Sequence, residues 1–149
     1  MVRFVIKKGN EDLTDSKEIR RKVFIEEQKV PEELEYDEYD ISSMHLIAYE
    51  GEKAVATSRL AFVEGHYKIG RVAVLKEERG KRYGDYVVRA MLGKAFEDGI
   101  EEVYVGAQIQ ARGFYETIGF KAINEEIYDE AGIPHVMMKI VKEDFGGIN

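Results

Sequence analysis

At 149 residues, with 44% hydrophobic and 34% charged residues, the chain has the composition of a folded globular protein long enough to bury one core. A net charge of −7 argues against nucleic-acid binding, which calls for a basic face. The absence of cysteine excludes disulfides, thiolate metal sites and a cysteine nucleophile.

Met1 to Lys8 has too short an apolar core for a signal peptide and reads as a strand over 3–7. No run approaches the roughly 18 apolar residues of a membrane span, so no membrane partner and a cytoplasmic location are expected. A helix is predicted from Ser16 to about Lys29, with Ile19, Val23 and Phe24 on one stripe, Asp15 or Ser16 as N-cap and Val30-Pro31 as its stop. Residues 31–43 are polar and turn-rich, which predicts an exposed loop; Glu32, Glu33, Glu35, Asp37, Glu38 and Asp40 fall in it with no base between them. Three β-like runs follow at 44–50, 54–63 and 67–75, separated by turns at Glu50-Gly51-Glu52-Lys53 and Glu64-Gly65-His66. Val87, Val88, Met91, Leu92, Ala95 and Phe96 recur at three- and four-residue spacing, predicting a helix over 81–97 closed by Asp98-Gly99. A strand at 102–108, a short helix at 110–118 and strands near 120–127 and 135–142 complete the chain. With no linker and no repeat, residues 1–149 are expected to form a single mixed α/β (α+β) domain.

Between the third β run and the long helix stands Arg79-Gly80-Lys81-Arg82-Tyr83-Gly84. A helix N-terminus offers unpaired N–H groups and about half a positive charge, glycines admit a ligand close to the backbone, and cationic side chains add attraction. The spacing is neither that of a Walker A loop nor Gly-x-Gly-x-x-Gly, so a nucleoside triphosphatase or a dinucleotide-binding dehydrogenase is unsupported. On its own the loop reads equally well as a phosphate site or as a solvated basic turn.

Arg79-x-x-Arg82-x-Gly84 between a strand and a helix resembles motif A of the Gcn5-related N-acetyltransferases (GNAT), in which the pattern is Arg/Gln-x-x-Gly-x-Gly/Ala. About thirty residues on, Gln108-x-x-Ala111-x-x-Phe114-Tyr115-x-x-x-Gly119-Phe120 resembles the same family's motif B. The stretch from Arg21 to Gln28, then Asp37, Asp40 and His45, and Gly132-Ile133-Pro134-His135, resemble the ElaA- and YjcF-like bacterial branch. Two departures stand out: Arg82 replaces the middle glycine of motif A, and Gln108 replaces the asparagine of motif B. A non-glycine residue at positive φ costs about 1–2 kcal/mol, so Arg82 is expected to take an ordinary helical conformation.

The resemblance implies the GNAT acyl-CoA N-acyltransferase fold, a mostly antiparallel twisted sheet with two splayed strands and flanking helices. It implies acetyl-CoA as acyl donor, a small-molecule or peptide primary amine as acceptor, and a homodimer as the expected assembly. Val72, Ala73 and Val74 would pair with the pantetheine arm, and an N–H there would polarise the acetyl carbonyl. Arg79, Gly80, Lys81, Arg82, Tyr83 and Gly84 would hold the pyrophosphate, with Gln108 and Tyr115 close by. Tyr115 would stand beside the coenzyme sulfur. With reference pKa values of about 10 for a phenol and about 8.5 for a thiol, full proton transfer to the thiolate is uphill by roughly 2 kcal/mol, so hydrogen-bond donation is at least as good a role.

No general base can be singled out: Glu26, Glu27, His45 or a carboxylate acting through water are alternatives, and His45 and His135 read more readily as hydrogen-bonded core-edge residues than as catalysts. Glu26, Gln28, His45 and Arg71 are candidate acceptor contacts, and the acidic stretch 32–40 either rims the acceptor site or is a solvated loop. Arg59 and Arg71 either face the cleft or pair with carboxylates. Three scattered histidines give no metal site, and no Gly-x-Ser-x-Gly elbow is present. The reading is an N-acetyltransferase acting by direct attack in a ternary complex, with a non-catalytic acyl-CoA-binding module on the same fold as the alternative.

Overall fold

The computed structural model describes residues 1–147. Its elements are β1 (Val2–Lys8), α1 (Thr14–Arg20), α2 (Glu32–Glu35), β2 (Met44–Glu50), β3 (Lys53–Val63), β4 (His66–Val74), α3 (Tyr83–Glu97), β5 (Glu102–Gln108), α4 (Arg112–Ile118), β6 (Lys121–Glu130) and β7 (Ile133–Val141). The strands form one sheet in the order β1-β2-β3-β4-β5-β7-β6. All neighbours are antiparallel except β4 and β5, which pair in parallel at only Lys68↔Tyr104 and Ile69↔Val105. Beyond that point the two central strands separate.

Strand alternation assigns the two faces. On one, Val87, Val88, Met91, Leu92 and Ala95 of α3 pack on Leu46, Ala48, Ile69, Val103, Val105, Met138 and Ile140. On the other, Ile19 and Val23 pack on Ile47, Tyr49, Ala73 and Leu75. The helix covering the second face covers only part of it, leaving the β4–β5–β7 region to a cavity.

Four local expectations are corrected. α1 starts from Leu13 rather than from a cap at Asp15 or Ser16, and Leu13 makes no side-chain cap; the Asp12 carboxylate before it accepts from the Thr14 N–H at 2.9 Å and its hydroxyl at 2.6 Å. Its continuation, Arg21–Glu27, is a π-helix, with Gln28 N–H bonded to Val23 C=O at 3.0 Å. Residues 31–43 are not a solvated loop. They hold α2 and a short 3₁₀ turn at Glu38–Asp40, and Glu35 and Asp40 are buried. Finally, β6 and β7 form a longer hairpin than predicted, joined by Ala131 (φ 54) and Gly132 (φ 80), with Glu130 opposite Ile133. Pro134 is tolerated inside it. Alternate antiparallel pairs exchange hydrogen bonds, so the Pro134 nitrogen faces the β5 side, where β5 has already ended with Gln108 opposite His135.

Candidate active site

Two adjoining cavities follow the separation of β4 and β5. The smaller, about 350 Å³, is lined by Val74, Arg79, Gly80, Arg82, Gly84 and Phe114 among others. The larger, about 490 Å³, runs over the uncovered sheet face and is lined by Gln28, Arg71, Val72, Gly106, Gln108 and Tyr115 among others. Phe114 lines both.

The loop before α3 shows why the sequence folds as it does there. Gly80 has φ 86 and Arg82 has φ 68, both left-handed. The expectation of an ordinary helical Arg82 is therefore corrected: the turn from strand to helix needs a left-handed residue at this position whichever side chain occupies it. The Arg82 side chain is 67% exposed, reaches Asp85 Oδ2 at 3.3 Å and lies 6.0 Å from the Tyr86 ring centre. The result is a continuous run of free donors. Tyr86 N–H is the first to bond within the helix, to Arg82 C=O at 3.0 Å, and the N–H groups from Gly80 to Asp85 have no hydrogen-bond partner among the described residues.

The cationic side chains of this loop are already paired. Arg79 bonds the Glu27 carboxylate at 2.6 and 2.8 Å and the Val74 carbonyl at 3.2 and 3.1 Å, and Lys81 reaches Glu78 at 2.9 Å. The anion-binding capacity of the loop thus lies in its backbone and the α3 dipole, with the cations as a screened positive background.

Along β4, the Leu75 N–H bonds Val55 C=O at 3.0 Å on β3. By alternation Ala73, opposite Thr57, turns its backbone to β3 as well, while Val72 and Val74 turn theirs to the gap. A bulge at Arg71 (φ 49) sets this phase. Of the three residues expected to meet a pantetheine arm, Ala73 does not face the gap with its backbone, and the Val74 carbonyl is taken by Arg79. Val72 N–H and C=O and Val74 N–H remain.

Tyr115, near the middle of α4, has its ring edge-on to Phe114 at 5.0 Å and to Phe120 at 5.5 Å. Burial pushes its hydroxyl above the usual phenol range, so it stays protonated at physiological pH. Gln108 Nε2 bonds Gln28 Oε1 at 3.1 Å, tying the end of β5 to the end of the π-helix across the larger cavity. Gly106, on the same strand, is held to glycine by packing: an added Cβ would lie 2.3 Å from the Tyr128 hydroxyl.

Two of the sequence-predicted residues stand elsewhere. Glu26 is exposed, paired with Arg21 and outside the cavity. His45 is buried at 1% exposure, its Nε2 donating to Asp40 C=O at 2.8 Å, and burial holds it below the usual imidazole range. Arg71 does line the cavity, but its guanidinium is spent on Asp37 at 2.9 Å and on the Glu35 and Leu34 carbonyls. It belongs to a buried ionic cluster that the sequence did not reveal. Arg20, 1% exposed, bonds Glu35 at 2.8 Å and Asp40 at 2.9 Å; Arg59 bonds Asp37 at 2.7 Å and Asp40 at 3.0 Å. Burial works against the Asp40 carboxylate, but Arg20 and Arg59 hold it below the usual range. The cluster fixes the chain at α2 over the cavity. Among the described residues no group of His, Asp and Glu could hold a metal ion.

A family model described as the acetyltransferase (GNAT) domain matches residues 9–142. The chain belongs to the GNAT acetyltransferase family. The chain is 37% identical over 134 residues to the uncharacterized N-acetyltransferase YjcF of Bacillus subtilis, covering 90% of this chain and 96% of that protein. A crystal structure of an acyl-CoA N-acyltransferase from Pseudomonas aeruginosa superposes with TM-score 0.84 at 29% identity, covering 95% and 100% of the two chains. That of Escherichia coli ElaA gives 0.83 at 26%, covering 94% and 99%. This GNAT protein thus has the acyl-CoA N-acyltransferase fold, and its branch is the one containing YjcF and ElaA. No helix among its described residues is long and apolar enough to cross a membrane.

Proposed function

We propose that this protein transfers an acetyl group from acetyl-CoA to a primary amine by direct attack in a ternary complex. The observation that carries the reading is the run of N–H groups from Gly80 to Asp85, unpartnered among the described residues, at the mouth of the β4–β5 gap. These donors, aimed from a helix N-terminus, suit a pyrophosphate. Val72 and Val74 turn peptide groups to the gap and would bond the amides of an extended pantetheine arm, with Val72 N–H available to the acyl carbonyl. Acetyl-CoA supplies the activated thioester. Tyr115, protonated and in an apolar setting, would donate a hydrogen bond to the departing sulfur rather than surrender its proton, because burial raises the cost of a phenolate. The amine enters over the uncovered sheet face, where the larger cavity lies.

Thermal unfolding with added coenzyme A and with pantetheine, which lacks the pyrophosphate, tests the loop. Coenzyme A at 100 times its Kd stabilises by about 2.7 kcal/mol, and pantetheine at the same concentration is expected to do far less. Equal shifts, or none with either, would remove the basis of the proposal.

A further inference from the structure

The reaction needs a base, and most titratable groups around the larger cavity are committed. Glu35 and Asp37 are bonded to arginines. Glu130 is 3.9 Å from Lys68 Nζ with its side chain 44% exposed. His135 differs from all of these. It lines the cavity at 5% exposure, on β7, opposite Gln108 of β5 and Tyr128 of β6. Its Nδ1 stands 2.6 Å from the Ile133 carbonyl oxygen. A carbonyl has no proton to give, so Nδ1 carries the hydrogen and the neutral ring keeps its lone pair on Nε2. Nε2 makes no hydrogen bond among the described residues.

Tyr128 stacks on this ring, with centroids 5.6 Å apart and planes at 29°. Its hydroxyl is buried without a hydrogen-bond partner among the described residues, which a native site tolerates only for a reason. That hydroxyl occupies the space above Gly106, the residue after Val105, where pairing between β4 and β5 stops. Phenol and imidazole therefore flank the closed end of the gap, on the face from which an acceptor enters.

We propose that His135 is the general base for the acceptor amine, and that Tyr128, stacked on the imidazole, is a positioning residue. The inference rests on the acetyl-transfer reading. The acceptor enters as an ammonium and passes one proton to His135 Nε2; the freed nitrogen forms a bond to the thioester carbonyl carbon, the carbon–sulfur bond breaks, the second nitrogen proton goes to solvent, and the coenzyme leaves as a thiolate that takes a proton from solvent. The charged groups that line the same cavity are Lys68 and Arg71 of β4, Arg59 of β3, Glu35 of α2, Asp37 after it and Glu130 of β6.

The test uses the full chain with acetyl-CoA and four probes: cadaverine, a lysine peptide, glucosamine and O-methylhydroxylamine, which is neutral at assay pH. His135→Asn keeps a donor for Ile133 C=O and loses Nε2. It should lower kcat/KM for the best alkylamine probe by about 10²-fold or more, abolish the acid limb of the wild-type pH profile and leave the coenzyme A thermal shift in place. O-Methylhydroxylamine should lose much less. Tyr128→Leu, which removes the stacked ring, should lower kcat with the acetyl-CoA KM unchanged, whereas Tyr128→Phe should restore it. Independently of turnover, ¹⁵N NMR of the wild type should show His135 protonated at Nδ1. Full activity of His135→Asn, equal losses with all probes, or an Nε2–H ring would overturn the assignment while leaving acetyl transfer standing. A wild type that binds coenzyme A yet acetylates no probe would overturn both.

Discussion

Gly106→Ala perturbs a single contact and can be worked through from the geometry. The added Cβ would lie 2.3 Å from the Tyr128 hydroxyl, about an ångström inside ordinary contact, and its other close neighbours, Lys68 Cε and Nζ, are at an acceptable 3.5 Å. The strain therefore falls on Tyr128. That ring is held against His135, so it can yield only by breaking the stack. Overpacking of this kind costs about 1–3 kcal/mol, offset by roughly 0.5–1 kcal/mol from the lower chain entropy of alanine. Taking the middle of each range, about 2 less about 0.75 kcal/mol, urea unfolding should show Gly106→Ala less stable by about 1 kcal/mol, with an unchanged m-value. In a Tyr128→Phe background the penalty should vanish, giving a coupling energy of similar size. A neutral Gly106→Ala, or a double variant no better than the single, would refute the steric account of this glycine.

Arg82→Gly should raise stability by about 0.5–1 kcal/mol in thermal unfolding, since relief of the left-handed strain, about 1–2 kcal/mol, exceeds the added flexibility of glycine. Arg20→Ala should cost about 3–5 kcal/mol, because it strands the buried Glu35 and Asp40 carboxylates; a loss under 1 kcal/mol in urea would contradict the cluster's role. Asp40 titrates lower in the folded state than its ordinary 3.8, so its contribution is present above that value and is lost as pH falls through the lower folded value. The stability gap between wild type and Asp40→Asn should accordingly stay constant from neutral pH down to about 5 and close only in stronger acid, as read from unfolding at a series of pH values. Tyr115→Phe keeps the packing against Phe114 and Phe120 and should lower kcat about 10- to 100-fold, the worth of one hydrogen bond to a charged atom, with little change in the acetyl-CoA KM.

Sequence pattern located β2 and β5 at their observed bounds, β5 because alternation leaves no freedom in phase and β2 because its largely apolar run stops at the turn after Glu50. The end of α3 was equally plain from Glu97 and the glycine beyond it. The π-helix was not, since Ile19, Val23 and Phe24 fall on one stripe under either helical period over so short a stretch. The ionic cluster escaped for a different reason. Its arginines at 20, 59 and 71 come from α1, β3 and β4, and only tertiary packing brings them to the acids at 35, 37 and 40. Charge counting along the chain left those acids as the rim of an acceptor site or a solvated loop, and neither reading pairs them with buried arginines. Arg82 escaped because its own preference points away from positive φ, and the turn overrides it. His135 stood in view within Gly132-Ile133-Pro134-His135, but its tautomer depends on a carbonyl two residues away, and the orphan hydroxyl beside it depends on the hairpin register.

The central claim is catalytic transfer, and its most direct measurement follows coenzyme A release and N-acetylated amine by mass spectrometry in one reaction. The account predicts equal amounts of both products, with rates that saturate in acetyl-CoA and in amine. Tight binding of coenzyme A with no acetylated amine from a broad panel would contradict it and identify the chain as a binding module on the same fold.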